Sequence, residues 1–123
     1  MDTSEQYIKM CEKVEEIQEE WKKEYSDFVI VKCVNSDKNV LMLFLQTFEH
    51  NIMIWLPRQD QLQEMIIGTF TNELHNDAWG AMRLCVEFGR RNDLYYSLEQ
   101  LWLAFVMKEK FNKTWNGEDW IGG

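Results

Sequence analysis

Few side chains in this sequence are placed to do catalytic chemistry. Acid–base or nucleophilic catalysis usually needs a histidine or cysteine beside a carboxylate that orients it, and the chain has two histidines, His50 and His75. His75 lies two residues from Glu73 and from Asp77, a spacing that does not bring three side chains to one helical face. We therefore interpret both histidines as packed or surface residues.

A small metal-dependent hydrolase built around Asp60, Glu64 and His75 is one functional hypothesis, although no set of cation ligands is complete. The sequence contains no CxxC pair, HExxH motif, glycine-rich phosphate loop or nucleophile elbow. We assign no catalytic residue, metal ligand or cofactor-binding residue and expect no cofactor. A non-enzymatic function is favoured.

Charge disfavours direct binding to nucleic acid or to an anionic membrane. The net charge is −8, and residues 1–27 carry nine acidic and four basic side chains, whereas phosphate binding draws on lysine and arginine. The arginines at 83, 90 and 91 lie at helical spacing around Glu87. This cluster is interpreted as ion-paired helix surface.

An N-terminal helix over residues 4–25 is predicted by the capping-box spacing of Thr3 and Gln6 and by apolar residues at three- and four-residue steps up to Trp21. Its outer side forms a candidate acidic face, which consists of Glu12, Glu15, Glu16, Glu19 and Glu20. This face is either a solvated helix surface or a nucleic-acid mimic that would occupy a basic host protein.

Three apolar runs, at residues 28–34, 40–45 and 52–56, predict a three-stranded antiparallel meander because short polar segments join them. The second and third runs contain no polar residue, so we expect both faces of the sheet to be covered. Lys32 in the first run indicates an edge strand.

Three helices are predicted after Pro57, which cannot donate to a strand ladder. The first covers about residues 58–69. The second has an apolar stripe of Leu74, His75, Ala78, Trp79, Met82, Cys85 and Val86. The third begins at a Ser97–Gln100 capping box, and residues 101–107 are apolar around the whole circumference, which predicts a buried central helix.

The fold class is therefore α+β, a layered sandwich, with residues 1–123 as a single domain. The first twenty residues lack the apolar run of a signal peptide, so a cytoplasmic location is expected. Three cysteines, Cys11, Cys33 and Cys85, lie far apart within apolar patterns and are interpreted as buried thiols.

A candidate partner surface is centred on the C-terminal tail, where Trp115 and Trp120 flank a turn at Asn116-Gly117. We expect these two tryptophans to be exposed, and exposed tryptophans commonly anchor interfaces. The candidate residues are Trp115, Asn116, Gly117, Glu118, Trp120, Arg58, Gln59 and Asp60. Docking of the tail on its own domain is the competing interpretation and is favoured over an interface role.

Residues 55–65 (WLPRQDQLQEM) and the stretches LEQLWLAFVMKEKF and WNGEDW within residues 98–120 resemble small uncharacterised proteins of bacteriophages and prophages of Gram-positive and related bacteria. The N-terminal YIKMCEKVEEIQEEW is similar to them as well. The resemblance implies phage or prophage origin without implying a chemistry.

The sequence thus predicts a phage or prophage accessory protein that acts by protein–protein interaction, as a monomer or as a homodimer. The apolar sheet edge and the tryptophan-rich tail are the expected contact surfaces. The acidic decoy of a host nucleic-acid-binding protein and the metal-dependent hydrolase are the alternatives, and no nucleic acid or membrane is expected as a direct partner.

Overall fold

The computed structural model describes residues 1–21, 27–33, 39–43, 51–66, 78–91, 95 and 97–122. In chain order their elements are α1 (Glu5–Glu12), α2 (Glu15–Glu19), β1 (Phe28–Cys33), β2 (Asn39–Leu43), β3 (Asn51–Leu56), α3 (Gln59–Ile66), α4 (Ala78–Arg90), α5 (Leu98–Phe111), β4 (Lys113–Trp115) and β5 (Trp120–Gly122). The protein is α+β, as predicted. It divides into two compact units, Thr3–Pro57 and Met1–Asp2 with Arg58–Gly123; the single domain and the layered sandwich stay predictions.

The N-terminal helix is broken, which contradicts the prediction of one helix over residues 4–25. α1 ends where the Lys13 N–H donates to the Lys9 and Cys11 carbonyls, and Val14 has φ −102° and ψ 80°, outside the helical range. Val14 is fully buried, so packing of this β-branched side chain outweighs helix continuation. The cap is also one residue later than predicted, because Ser4 Oγ accepts from the Tyr7 N–H at 3.3 Å.

The sheet is antiparallel with the order β2-β1-β3, so it is not a meander. β1 lies at the centre, and the interpretation of Lys32 as an edge-strand residue is wrong. The central position suits residues 29–31 because their side chains, Val, Ile and Val, are buried on both faces. Residues 54–56 of β3 are buried as expected, but Leu41 of β2 is 46% exposed, which corrects the expectation of full coverage there.

A side chain closes the outer edge of β3. Gln18 Nε2 donates to the Trp55 carbonyl at 2.9 Å, and Gln18 Oε1 accepts from the Trp55 N–H at 2.8 Å. These are the two bonds that a neighbouring strand would form with this residue. Trp21 stacks on Trp55 with ring centroids 6.1 Å apart, and its Nε1 donates to the buried Asp27 carboxylate at 2.8 Å.

In the second unit, α3 begins directly after Pro57 and lies within the predicted range 58–69. The apolar stripe predicted for α4 is only partly buried: Cys85 is 1% exposed, whereas Met82 is 41% and Val86 is 48% exposed. α4 instead turns Gly89 toward α5, where an added Cβ would lie 3.0 Å from Leu101 Cδ2. Residues 74 and 75 and the side chains of 78 and 79 lie outside the described part of the stripe.

α5 is the buried central helix of this unit, as predicted. Residues 102–107 are each at most 2% exposed. Ser97 Oγ accepts from the Gln100 N–H at 3.1 Å, which confirms the Ser97 half of the predicted capping box. The Asp2 carboxylate accepts from Ser97 Oγ and, at 2.8 Å, from Gln100 Nε2. Across the described ranges, no helix combines the length and apolar character needed to cross a membrane.

Candidate functional site

The C-terminal tail forms a β-hairpin that follows α5 directly. α5 ends at Asn112, whose φ of 54° places it in the left-handed region that terminates helices. β4 and β5 then pair antiparallel, with Thr114 opposite Ile121 and Trp115 opposite Trp120. The sequence predicted the turn but not the two strands.

The turn of the hairpin is fixed by the Asn116 side chain. Asn116 Oδ1 accepts from the Glu118 N–H at 2.8 Å and from the Asp119 N–H at 2.7 Å. The Asn116 N–H donates to the Asp119 carbonyl at 3.1 Å, and Gly117 has φ 102°, which L-residues rarely adopt. The turn predicted at Asn116-Gly117 is therefore confirmed, and its backbone is well organised.

Trp115 is buried, which contradicts the prediction that it is exposed. It is 1% exposed, and its ring centroid lies 5.2 Å from that of half-buried Trp120. Alternate residues of a strand point to opposite faces, so Trp115 and Trp120 share the inner face of the hairpin while Thr114 and Ile121 share the outer one. Trp115 therefore fits the competing interpretation, in which the tail docks on its own domain.

The outer face and the tip carry the groups that a partner would meet. Ile121 is 57% exposed, and Asn116, Glu118 and Asp119 are exposed while Gly117 is half-buried. Sequence reasoning missed Ile121. The alternation of residues 120–122 would have placed it on the outer face had the hairpin been recognised.

Arg58 directly precedes α3, and Gln59 and Asp60 are its first two residues, so none of the three belongs to the hairpin strands. The Arg58 guanidinium pairs with the Asp60 carboxylate through Nε–Oδ1 at 3.1 Å and Nη2–Oδ2 at 3.4 Å. The Arg58 N–H donates to Gln61 Oε1 at 2.9 Å, the return bond of a capping box. These contacts give Arg58 a local role in starting α3, with Gln59 half-buried and Asp60 exposed beside it.

The candidate acidic face is interrupted where the helix breaks. Glu12 ends α1 and pairs with Lys32 of β1, which offsets its charge. The other members lie on α2 and its C-cap: Glu15, Glu19 and Glu20 are exposed, and Glu16 is half-buried. The face is therefore a short cluster rather than the continuous ridge that one long helix would have presented.

Arg90 and Arg91, at the end of α4 and just after it, are ion-paired at the surface, as interpreted from spacing, and Arg83 is exposed. Glu87 lies 3.9 Å from the Arg90 guanidinium and 3.8 Å from that of Arg91. Their side chains are 55% to 78% exposed, and such pairs contribute little to stability because water screens them.

His50 and His75 lie outside the described residues. Asp60 and Glu64 are exposed on α3, and the described residues contain no group of three or more His, Cys, Asp or Glu side chains that could hold a metal ion. The positions of the Asp60 and Glu64 carboxylates therefore give no support to the hypothesis of a metal-dependent hydrolase.

Cys11 and Cys85 are buried thiols that form no disulfide, as predicted, whereas the Cys33 side chain is not among those described. Burial raises the pKa of the Cys85 thiol to about 12, so it is protonated at neutral pH and is a poor nucleophile. Burial also raises the pKa of Tyr95; its hydroxyl has no hydrogen-bond partner among the described residues.

In comparisons with known proteins, no family model, curated protein or solved structure matches the chain.

Proposed function

We propose that the protein is a non-enzymatic accessory protein, of the phage or prophage kind that its sequence resembles, and that it binds a protein partner through the C-terminal hairpin. The observation that carries the proposal is the contrast within this hairpin. Trp115 is buried and holds the hairpin in place, while Ile121 on the outer face is 57% exposed. An exposed apolar side chain on a well-ordered element loses little conformational entropy when a partner covers it.

The tip adds charge to this apolar contact. Glu118 and Asp119 are exposed, and the bonds from their N–H groups to Asn116 Oδ1 fix the backbone that carries them. A partner with an apolar pocket for Ile121 and a basic rim for the tip fits this surface. Such charges mainly accelerate and orient association, while the apolar contact supplies affinity.

The experiment compares what tagged variants capture from cells that carry the phage or prophage. I121S removes the apolar contact, and E118Q/D119N removes the charge without changing side-chain size. L98S is the matched control because Leu98 is also 57% exposed but lies at the start of α5. A partner captured by the wild type and by L98S, and lost from the two hairpin variants, supports the proposal.

The hairpin is not the binding surface if the captured partner persists in both hairpin variants at wild-type levels. The proposal also fails if L98S loses the partner as completely as I121S, because a general loss of folding would then explain both losses. Circular dichroism of each variant separates these cases before capture is compared.

A second candidate function, an acidic decoy for a basic host protein, is supported by the exposure of Glu15, Glu19 and Glu20 around α2. Four side chains of one sign within six residues attract a cationic surface, and the attraction weakens as salt rises. Glu12 contributes less because Lys32 already pairs with it.

Replacing the three exposed α2 glutamates by glutamine tests the decoy. The control E64Q/E87Q/E109Q changes net charge by the same amount at exposed positions elsewhere. The decoy function predicts that capture of a basic nucleic-acid-binding protein is lost only from the α2 variant. Equal capture by both variants would contradict it.

A further inference from the structure

The Asn116-Gly117 step at the tip of the hairpin places an exposed side-chain amide beside an unshielded backbone nitrogen. Asn116 is exposed, and a Cβ added at Gly117 would meet no atom within 4 Å. The N–H groups of Glu118 and Asp119 donate to Asn116 Oδ1, whereas the Gly117 N–H has no hydrogen-bond partner among the described residues. The nitrogen that the turn leaves unpaired is therefore the one next to the Asn116 carboxamide.

This nitrogen can act as a nucleophile toward the carboxamide carbon. The Gly117 nitrogen bonds to Asn116 Cγ and loses its proton, a cyclic succinimide forms, and the side-chain nitrogen leaves as ammonia. Water then opens the ring. Opening at Cγ gives an aspartate, and opening at the main-chain carbonyl carbon gives an isoaspartate, in which the backbone runs through Cβ and Cγ. Glycine favours the attack because no side chain crowds its nitrogen, and asparagine is among the thermally labile residues.

The closed turn opposes ring closure. Asn116 Oδ1 lies 2.8 Å from the Glu118 nitrogen and 2.7 Å from the Asp119 nitrogen, so these two bonds hold the carboxamide across the turn. Ring closure has to rotate the carboxamide away from both donors. The loss of two such bonds is expected to slow the reaction about tenfold or more. The reaction therefore proceeds from the locally opened turn.

We propose that Asn116 is a deamidation site at which opening of the hairpin becomes irreversible. An isoaspartate lengthens the backbone of the turn and displaces the oxygen that accepts from Glu118 and Asp119. The bond from the Asn116 N–H to the Asp119 carbonyl then no longer closes the turn, and Trp115 and Trp120, which are paired directly below it, separate. The aspartate product keeps the turn, because a carboxylate accepts from the same two N–H groups.

The modification is a property of the turn and does not rest on the proposed binding function, but its effect on a partner does. The isoaspartyl product no longer holds Ile121 and the charged tip in one arrangement. A partner that keeps the turn closed slows the modification. The chemistry is measured on the purified chain without a partner, so its failure and the failure of partner capture are separate results.

The experiment incubates the purified protein in native buffer and in guanidinium chloride at the same pH and temperature. Trypsin cleavage after Lys113 releases residues 114–123, in which Asn116 is the only asparagine, so amide-to-acid conversion measured by mass in this peptide identifies the site. Labelling by an isoaspartyl methyltransferase quantifies the isoaspartate. Conversion in native buffer is expected to be about tenfold slower, or more, than in guanidinium chloride. Asn112 is the internal control, because it is exposed but precedes Lys113, and it should stay unconverted over the same period.

Variants separate opening of the hairpin from other effects. W120A removes the tryptophan pair but retains both reacting residues, so its conversion in native buffer should approach the rate in guanidinium chloride. W120F replaces it if W120A loses its helical circular dichroism. I121S changes the adjacent, 57% exposed residue and should react at the wild-type rate. N116D reproduces the aspartate product and should keep the exciton signal of Trp115 and Trp120, whereas the isoaspartyl protein, separated by chromatography, should lose it.

Equal conversion rates in native buffer and in guanidinium chloride would overturn control of the reaction by the turn. A wild-type rate in the Trp120 variants would overturn it as well, because opening of the hairpin would then not limit the reaction. An isoaspartyl protein that kept the exciton signal would show that the hairpin survives the modification. Absence of conversion at Asn116 in guanidinium chloride would remove the site altogether.

Discussion

Replacing Gln18 by alanine is expected to destabilise the protein by removing the group that closes the outer edge of β3. The substitution deletes three hydrogen bonds, two to the backbone of Trp55 and one from Nε2 to the Cys11 carbonyl at 3.0 Å. Each contributes about 0.5–1.5 kcal/mol net. Gln18 is half-buried, so water recovers part of this loss, and we expect Q18A to lower the free energy of unfolding by about 2 kcal/mol.

Glutamate at the same position tests the direction of the hydrogen bonds. A carboxylate can accept from the Trp55 N–H but cannot donate to the two carbonyl oxygens that Gln18 Nε2 contacts. The folded state of Q18E therefore favours the protonated acid, and its folded pKa lies above the unfolded value. The stability that this group contributes is present below the unfolded pKa and is lost as pH rises through the folded pKa.

Urea unfolding followed by tryptophan fluorescence measures both effects. The deficit of Q18E relative to the wild type should be largest at neutral pH and should shrink as the solution is acidified. Q63A and Q63E are the controls, because Gln63 is a half-buried glutamine on α3. Amide exchange adds a local reading: the Trp55 N–H should exchange faster in Q18A than in the wild type.

The reasoning about β3 would be refuted if Q18A lost less than about 0.5 kcal/mol, below the contribution of one hydrogen bond. A deficit of Q18E that did not change with pH would also refute it, because the missing donor would then have no energetic consequence.

Three further predictions concern other parts of the chain. S97A should lower the free energy of unfolding by about 1 kcal/mol in chemical denaturation, since it removes the α5 cap. S97T keeps a hydroxyl at this position and should retain most of the stability that the cap contributes. G117A should weaken the exciton signal of the Trp115–Trp120 pair in circular dichroism, because φ 102° costs an L-residue about 1–2 kcal/mol; G123A is the control. Iodoacetamide should leave Cys85 unmodified at pH 8 in the folded protein and alkylate it in urea, as peptide mass mapping would show, since its pKa is about 12; modification at equal rates would contradict its burial.

Local signals account for the parts of the fold that the sequence predicted. Ser97 caps α5 because its hydroxyl reaches an N–H three residues away, and Pro57 separates β3 from α3 because it cannot extend a strand ladder. The all-round apolar run at residues 101–107 correctly predicted the burial of residues 102–107. These features depend on neighbours within one or two turns of the chain.

The features that the sequence did not predict depend on distant contacts. The strand order could be predicted only by knowing that β1 pairs with both other strands. Three hydrophobic runs of similar length do not indicate which of them is central. The helix breaks at Val14, whose side chain is buried. Helical periodicity alone predicts that the helix continues through this residue. Packing decided against the pattern in both cases.

The candidate site shows the same division. The turn residues Asn116 and Gly117 were recognisable because their chemistry is local. The prediction that Trp115 is exposed was wrong because it relied on the position of this residue in the C-terminal tail. Alternation along the two strands instead buries Trp115 and exposes Ile121. The apolar stripe predicted on α4 is only partly buried for a related reason: periodicity identifies a stripe that includes Met82 and Val86 without identifying what covers it.

The bond between Asp2 and the start of α5 has a consequence for the order in which the chain acquires its structure during synthesis. Asp2 is translated well before its partners Ser97 and Gln100, which are 95 and 98 residues later. The unit Thr3–Pro57 is contiguous, so all its internal contacts become available once Pro57 is translated. The unit that contains α5 cannot form these bonds until α5 itself has been translated, and a ribosome that stalled before α5 would leave Asp2 without Ser97 and Gln100.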